Sequence, residues 1–102
     1  MITITMHRDK KHRYTGFTIS GHADYDEAGS DIVCAAVSAL SQTALLGLMQ
    51  YASQDVPYEV NDGFLSVQVP KPCEASQIIL GTMVAGLEQI VRQYREYVVL
   101  DS

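Results

Sequence analysis

The residues that are best suited to chemistry lie between Gly21 and Ser41, where a histidine precedes a cysteine by twelve positions. A cysteine attacks as its thiolate, and a helix N-terminus or a neighbouring histidine lowers thiol pKa values. Cys34 falls in the first turn of a predicted apolar helix, and His22 follows a predicted strand. Glycines at 21 and 29 allow the loop between them to fold back. This arrangement predicts a cysteine-nucleophile site.

Two polar residues accompany Cys34 on one face of the predicted helix. At about 100° per residue, Asp31, Cys34 and Ser38 lie within roughly 60° of one another. Ser30 has the side chain of an N-cap, which makes Asp31 the first helical residue. Asp31 is then available either to orient His22 or to stabilise the helix start. Ser38 either hydrogen-bonds the thiol or donates to the carbonyl four residues earlier.

Other interpretations of the same residues stay open. A single cysteine in a buried helix is commonly an apolar filler, and a histidine after a strand is commonly structural. With Cys34 only packed, the chain would be a binding module. A thiol-based redox sensor would need a second cysteine nearby, and Cys73 is the only one in the sequence. Cys73 is predicted to begin the second helix, where we interpret it as structural.

One run of residues resembles a family signature: Gly21-His22-Ala23, then Gly29, then Asp31-Ile32-Val33-Cys34-Ala35-Ala36-Val37-Ser38. It is similar to that of the bacterial ribosomal-processing cysteine proteases, the Prp family, and the length and element order also fit throughout. The resemblance implies a small homodimeric protease that removes the N-terminal extension of a large-subunit ribosomal protein. Carried over by position, it implies Cys34 as nucleophile and His22 as general base, with Asp31 and Ser38 as supporting residues.

We expect substrate contacts only at the loop and helix start, at Gly21, Ala23, Gly29 and Ser30. The alternative function is a non-catalytic ribosome-assembly or protein-binding module in which Cys34 is merely packed. The two differ in whether Cys34 is accessible to an alkylating reagent.

The composition predicts a single domain over residues 1–102. Apolar residues make up 47% of the chain, which is ordinary for a globular protein. No cysteine and histidine spacing suits zinc, so no metal or cofactor is expected. The first residues lack the order of a signal peptide, and polar residues interrupt the longest apolar run. We therefore expect a cytoplasmic protein with no membrane segment.

The net charge of −5 is unevenly distributed. Four of the seven basic residues surround the first predicted turn, together with two histidines: Arg8, Lys10, Lys11, Arg13, His7 and His12. They suit contact with RNA phosphates, although a solvated hairpin tip is the commoner explanation. Acidic residues lie beside the predicted site at Asp24, Asp26 and Glu27. They suit either a basic substrate or a solvated loop.

Hydrophobic periodicity predicts seven elements in the order ββαββαβ. Alternating residues predict strands at 2–8 and 13–20, the second with Phe17 and Ile19 inward. Helical spacing predicts helices at 31–51 and 73–96. Strands at 56–60 and 64–69 flank the turn residues 61–63, and a last strand is predicted at 97–100. The fold class is therefore α/β in the α+β sense, a two-layer domain with a mostly antiparallel five-stranded sheet and two helices.

The first helix is too apolar to lie on a two-layer surface with its outer side in water. A second copy of the chain is the simplest cover. We therefore predict a homodimer that forms through this helix or its flanks, as the resemblance also implies.

Overall fold

The computed structural model describes residues 1–23, 25–26 and 31–102, and its elements follow the predicted order. The strands are β1 (Ile2–Arg8), β2 (Tyr14–Ser20), β3 (Tyr58–Asn61), β4 (Phe64–Gln68) and β5 (Val98–Asp101). The helices are α1 (Ile32–Tyr51) and α2 (Glu74–Gln93). The five strands form one sheet in the order β3-β4-β2-β1-β5. The predicted α+β fold is confirmed.

The sheet is mixed, because β5 runs parallel to β1. The other three pairs, β1 with β2, β2 with β4 and β3 with β4, are antiparallel. The two predicted hairpins account for β1 with β2 and for β3 with β4. A parallel pair cannot be joined by a tight turn, so the whole chain between residues 8 and 98 serves as the connection. This places the first and last strands side by side at one edge of the sheet.

One face of the sheet supplies the core. Ile4 is opposite Ile19 and Met6 is opposite Phe17 in the β1–β2 register, and all four side chains are buried. The inward orientation predicted for Phe17 and Ile19 is therefore confirmed. These strand residues form a single apolar cluster with the buried faces of both helices. The helices are thus packed on the sheet.

Helix α1 begins one residue later than predicted. Asp31, and not Ser30, is the N-cap, with extended backbone angles and a side chain that accepts from two first-turn N–H groups. Both residue types favour this position, so composition alone could not choose between them. Ser30 and Gly29 lie outside the described residues, and so do Asp24 and Glu27 of the acidic loop.

The outer side of α1 is apolar and exposed. None of its twenty residues is charged, and Ile32, Leu46 and Met49 are at least 40% exposed. By length and composition α1 would also suffice to cross a bilayer, with a mean hydropathy of 1.9, although core helices of soluble proteins meet the same criterion. Ser38, Ser41, Gln42 and Thr43 interrupt its apolar run, as expected, but they lower the mean hydropathy too little for α1 to fall below this criterion.

Helix α2 begins with a capping box built on a cysteine. The Cys73 sulfur accepts from the Ser76 N–H at 3.5 Å, and the Ser76 hydroxyl accepts from the Cys73 N–H at 2.9 Å. Hydrogen bonds from the Ser76 N–H and side chain outweigh desolvation and lower the pKa of Cys73. Cys73 is therefore placed at the start of the second helix, as the sequence predicts.

The basic turn between β1 and β2 is largely bonded to itself. Arg13 pairs with Asp9 at 2.9 Å, and the Arg8 guanidinium lies 4.1 Å from the centre of the Tyr14 ring. Arg8 also donates to the carbonyl oxygens of His12 and Ser102. Two of the four basic side chains thus stabilise the hairpin.

Candidate active site

A cavity of about 240 Å³ opens between the start of α1 and the β3–β4 hairpin. Both residues that the sequence singles out for chemistry, His22 and Cys34, line it. Its walls come from β1, β2, α1 and the hairpin: Ile2, Ile19, Gly21, His22, Cys34, Val37, Ser38, Ser41, Gln42, Val60, Asn61, Asp62, Gly63, Phe64 and Leu65. Apolar and polar side chains together thus surround a thiol and an imidazole, a mixture that is common in ligand-binding cavities.

The Cys34 thiol has two polar neighbours. Its sulfur accepts a hydrogen bond from the Ala23 N–H at 3.2 Å, and its side chain also bonds to the Asp31 carboxylate. The sulfur is half-buried at the first turn of α1. A thiol in this position is held in place and remains open to the cavity.

Asp31 organises the start of the helix. One carboxylate oxygen accepts from the N–H groups of Val33 at 2.9 Å and Cys34 at 3.0 Å, and the other accepts from the Tyr25 N–H at 3.1 Å. Desolvation raises the pKa of Asp31, but hydrogen bonds from the Cys34 N–H, the Tyr25 N–H, the Cys34 side chain and the Val33 N–H outweigh it and lower that pKa. Of the two roles considered for Asp31, the structure shows the helix cap.

The His22 ring approaches the β3–β4 turn. Its Nε2 lies 3.7 Å from an Asp62 carboxylate oxygen, with the histidine side chain 55% exposed and the aspartate 98% exposed. Gly63 has a φ of +68°, and a Cβ there would lie 2.6 Å from the same nitrogen. The ring therefore occupies space that only glycine at position 63 leaves open. Because Asp62 is so exposed, water screens its attraction to the histidine.

Gly21 brings the site against the start of the chain. Its φ is +93°, and a Cβ there would collide with the carbonyl oxygen of Met1. Its N–H donates to the Gly63 carbonyl oxygen at 2.8 Å, which ties the end of β2 to the hairpin turn. Gly21 also lines the cavity, whereas Ala23 is buried beneath the site and contacts the sulfur through its backbone.

Ser38 lies on the cavity wall one turn beyond Cys34. Among the residues that the structure describes, no partner of its hydroxyl is found. The donation to the carbonyl four residues earlier, considered for Ser38, occurs instead at Ser41, whose hydroxyl donates to the Val37 oxygen at 2.8 Å. Ser38 is therefore available to a molecule in the cavity.

An aromatic cluster surrounds Tyr25, which precedes α1. The Tyr25 ring packs edge-on against Tyr94 at 5.6 Å and Tyr97 at 5.1 Å between ring centres. Edge-to-face pairs of this kind contribute about 0.5–1.5 kcal/mol each beyond the area they bury. The cluster links residue 25 to the end of α2 and the approach to β5.

Sequence reasoning missed the hairpin wall and the tyrosine cluster. Asn61-Asp62-Gly63 was recognised only as a turn, and its meeting with His22 depends on the β2–β4 pairing. The tyrosines are about seventy positions apart in sequence. No local pattern reports contacts over such separations.

A helix-start thiol and an imidazole on one cavity are the groups that a thiol hydrolase needs. Comparison with known proteins agrees with this class. The family model described as "Cysteine protease Prp" matches residues 1–99. A Staphylococcus aureus protein named ribosomal processing cysteine protease Prp is 34% identical, and the alignment covers 99% of this chain and 98% of that protein. A Bacillus subtilis protein of the same name is 26% identical, over 94% and 92% of the two chains.

Solved structures give the same result. A crystal structure of the S. aureus Prp protease with a covalently linked product peptide superposes with a TM-score of 0.92 at 30% identity, covering 99% of this chain and 98% of that one. A second S. aureus Prp structure, with a substrate peptide, gives 0.82 at 27% identity over the same shares. The protein described here is a cysteine protease. The chain belongs to the Prp family of ribosomal-processing cysteine proteases.

Proposed function

We propose that this protease removes the N-terminal extension of a large-subunit ribosomal protein, with Cys34 as nucleophile and His22 as general base. The observation that carries the proposal is that the thiol and the imidazole line one cavity. The relatives are named for ribosomal processing, and one relative holds a covalently linked product peptide. Removal of such an extension would support ribosome assembly.

The reaction follows from the groups at the cavity. His22 takes the proton of the Cys34 thiol, and the thiolate attacks the carbonyl carbon of the scissile peptide bond. The carbon–nitrogen bond then breaks, the leaving amine takes the proton back from His22, and a thioester to Cys34 remains. Water, deprotonated by His22, attacks the thioester, releases the product carboxylate and restores the thiol.

The oxyanion of each tetrahedral intermediate needs N–H donors near the start of α1. The N–H groups of Val33 and Cys34 already donate to Asp31. Stabilisation from this helix start therefore requires that they be shared with, or released by, that carboxylate. We assign Asp31 a supporting role as the cap that fixes Cys34, and Ser38 a supporting role as a hydroxyl on the cavity wall.

The wider setting belongs to the same proposal. We place the protein in the cytoplasm, where ribosomal proteins are made, and we propose a homodimer that covers the exposed side of α1. Contact with RNA through the basic turn has less support, because Arg8 and Arg13 are engaged within the hairpin. The acidic Asp62 at the cavity rim suits a substrate with basic residues near the cleaved bond.

Cleavage of a ribosomal protein that carries its N-terminal extension tests this function, with intact mass spectrometry of the products. Wild type is expected to make one defined cut, and folded Cys34→Ala and His22→Ala are expected to make none. Cys73→Ser, which removes the thiol outside the cavity, is the matched control and should cleave as wild type does. Binding without cleavage by wild type would favour the non-catalytic assembly module. Cleavage by Cys34→Ala would disprove the nucleophile assignment.

A further inference from the structure

Among the described residues before α1, Ala23 and Tyr25 contact the site through their backbone N–H groups. The Ala23 N–H donates to the Cys34 sulfur at 3.2 Å, and the Tyr25 N–H donates to Asp31 at 3.1 Å. Residues 23 and 25 therefore reach the nucleophile and its helix cap through main-chain groups alone. Any shift of this backbone moves a donor away from the sulfur.

Among the described residues, two side chains attach this backbone to the rest of the fold: Ala23, which is buried in the core cluster, and Tyr25. The Tyr25 ring packs edge-on against both Tyr94 and Tyr97. The backbone of both residues is hydrogen-bonded to regular structure. The Tyr94 N–H donates to the Ile90 carbonyl at the end of α2, and the Tyr97 carbonyl accepts from the Ile2 N–H in β1. Tyr25 itself is 42% exposed, so its ring lies at the surface and does not belong to the core.

The sulfur needs the Ala23 donor most when it is a thiolate. The Asp31 carboxylate can accept the thiol proton, but it repels the thiolate that forms once the proton leaves. An N–H donor at the sulfur opposes that repulsion. Of the residues that the structure describes, His22 after β2 and Asp62 in the β3–β4 turn share the cavity with Cys34 and carry ionisable side chains. Asp31, at the start of α1, bonds to the Cys34 side chain.

We propose that Tyr25 is a positioning residue for the protease reaction: held between Tyr94 and Tyr97, it keeps the Ala23 N–H on the Cys34 sulfur. The inference rests on the proposed role of Cys34 as nucleophile. According to this proposal, residues at the junction of α2 and β5 contribute to catalysis as well as to stability, because they hold Tyr25.

The pH dependence of Cys34 alkylation by iodoacetamide tests the proposal without requiring a substrate. All variants carry Cys73→Ser, so Cys34 is the only thiol that reacts. Tyr25→Ala is expected to move the midpoint of the profile upward by about half to one pH unit, since one donor to the thiolate is lost. In peptide cleavage it should lower kcat by about three- to tenfold, with a smaller change in KM. Tyr25→Phe, which keeps the ring, should match the parent in both measurements.

Two further variants separate positioning from general destabilisation. Tyr51→Ala removes another exposed tyrosine, away from the site, and should leave both profiles unchanged. Tyr25→Leu keeps an apolar side chain without an aromatic ring, and it should behave as Tyr25→Ala does even if the alanine variant unfolds. An unchanged alkylation profile in folded Tyr25→Leu overturns the proposal, whatever happens to kcat. Cleavage by Cys34→Ala would instead disprove the proposed function and leave the alkylation comparison valid.

Discussion

The imidazole of His22 projects from the end of β2 into a space bordered by the β3–β4 turn. Its side chain is 55% exposed, so the protein restrains it through few contacts. The restraint comes from the shape of the turn, where a residue with no Cβ is adjacent to Nε2. A general base must hold its nitrogen within hydrogen-bonding reach of the proton it takes. The rotamer of His22 is therefore sensitive to a single methyl group at position 63.

Gly63→Ala should impair catalysis through this contact. The new Cβ pushes the His22 ring aside, because a flexible side chain yields more easily than the turn backbone, and kcat for peptide cleavage should fall by about tenfold or more. The left-handed backbone also costs about 1–2 kcal/mol for alanine. Steady-state kinetics and urea unfolding measure the two effects.

Gly63→Asn is the matched variant for this test. Asparagine tolerates the positive φ better than alanine, yet it carries the same Cβ. Both variants should lose activity to a similar extent while the asparagine variant keeps more stability. If activity instead followed stability and Gly63→Asn cleaved as wild type does, the contact with His22 would not be the cause.

At the residue scale the sequence was informative where a signature runs continuously. Positions 21–23 and 31–38 predicted the cavity, because they are close in sequence and include Gly21, His22, Cys34 and Ser38, which line it. Asp62, Gly63 and Tyr25 carry no such signal. Their positions near the site depend on strand pairing and on the packing of α2, which a single sequence does not encode locally.

The two helices differ in how their first turns are capped. A carboxylate caps α1 and a thiol caps α2. Both caps have a lowered pKa because N–H groups of the first turn stabilise the negative form. The stability of each helix therefore depends on pH. It changes between the ordinary pKa of the capping group and its lowered pKa in the folded protein.

Cys73 should make the stability of the protein rise with pH relative to Cys73→Ser. Its folded-state pKa lies below the ordinary 9.0, so the thiolate form adds stability that is fully present above that value. This stability is lost as pH falls through the lowered folded-state pKa. Urea unfolding of wild type and Cys73→Ser at pH 6, 7, 8 and 9.5 measures the difference.

Cys73→Ala supplies the reference for the cap itself. Loss of an N-cap side chain costs about 0.5–2 kcal/mol, and serine is a preferred N-cap that should retain most of it. A free-energy difference between wild type and Cys73→Ser that stays constant from pH 6 to 9.5 would contradict the link between the thiolate and helix α2.

Element types were predictable because the apolar residues repeat with clear periods of two and of 3.6. Boundaries were less so, with α2 ending at Gln93 and not at 96, and β3 beginning at Tyr58 and not at 56. Pro57 precedes β3 and has no N–H for a ladder, which delays the strand. The parallel pairing of β5 with β1 could not be predicted from either strand, because β1 alternates as antiparallel strands do and β5 has only four residues.

The molecule as a whole has an exposed apolar surface that its own core does not use. It lies on the outer side of α1, around Ile32, Leu46 and Met49, on a helix with no charged side chain. Scattered apolar residues are normal on a surface, but several exposed apolar residues on a helix that has no charged side chain are consistent with an interface. A second copy of the chain that packs through the same surface would bury the exposed apolar residues of both copies.

Leu46→Glu should convert the proposed homodimer into a monomer. A carboxylate at a buried interface position must be desolvated without a partner, which should weaken association by about 100-fold or more. Sedimentation velocity across a range of concentrations measures the change. Gln89→Glu, the addition of a charge on an exposed position of α2, is the control and should leave the mass unchanged. A wild-type protein that sediments as a monomer at all concentrations would contradict the prediction.

The parallel β1–β5 pair affects when the protein can fold during its synthesis. Residues near position 3 must wait for residues near position 99 before their edge of the sheet closes. Contacts this distant in sequence slow folding, and a chain emerging from the ribosome forms them last. Tyr94 and Tyr97, which anchor Tyr25, emerge at the same late stage. The protease is therefore expected to gain its active site only after residues 98–101 have been synthesised.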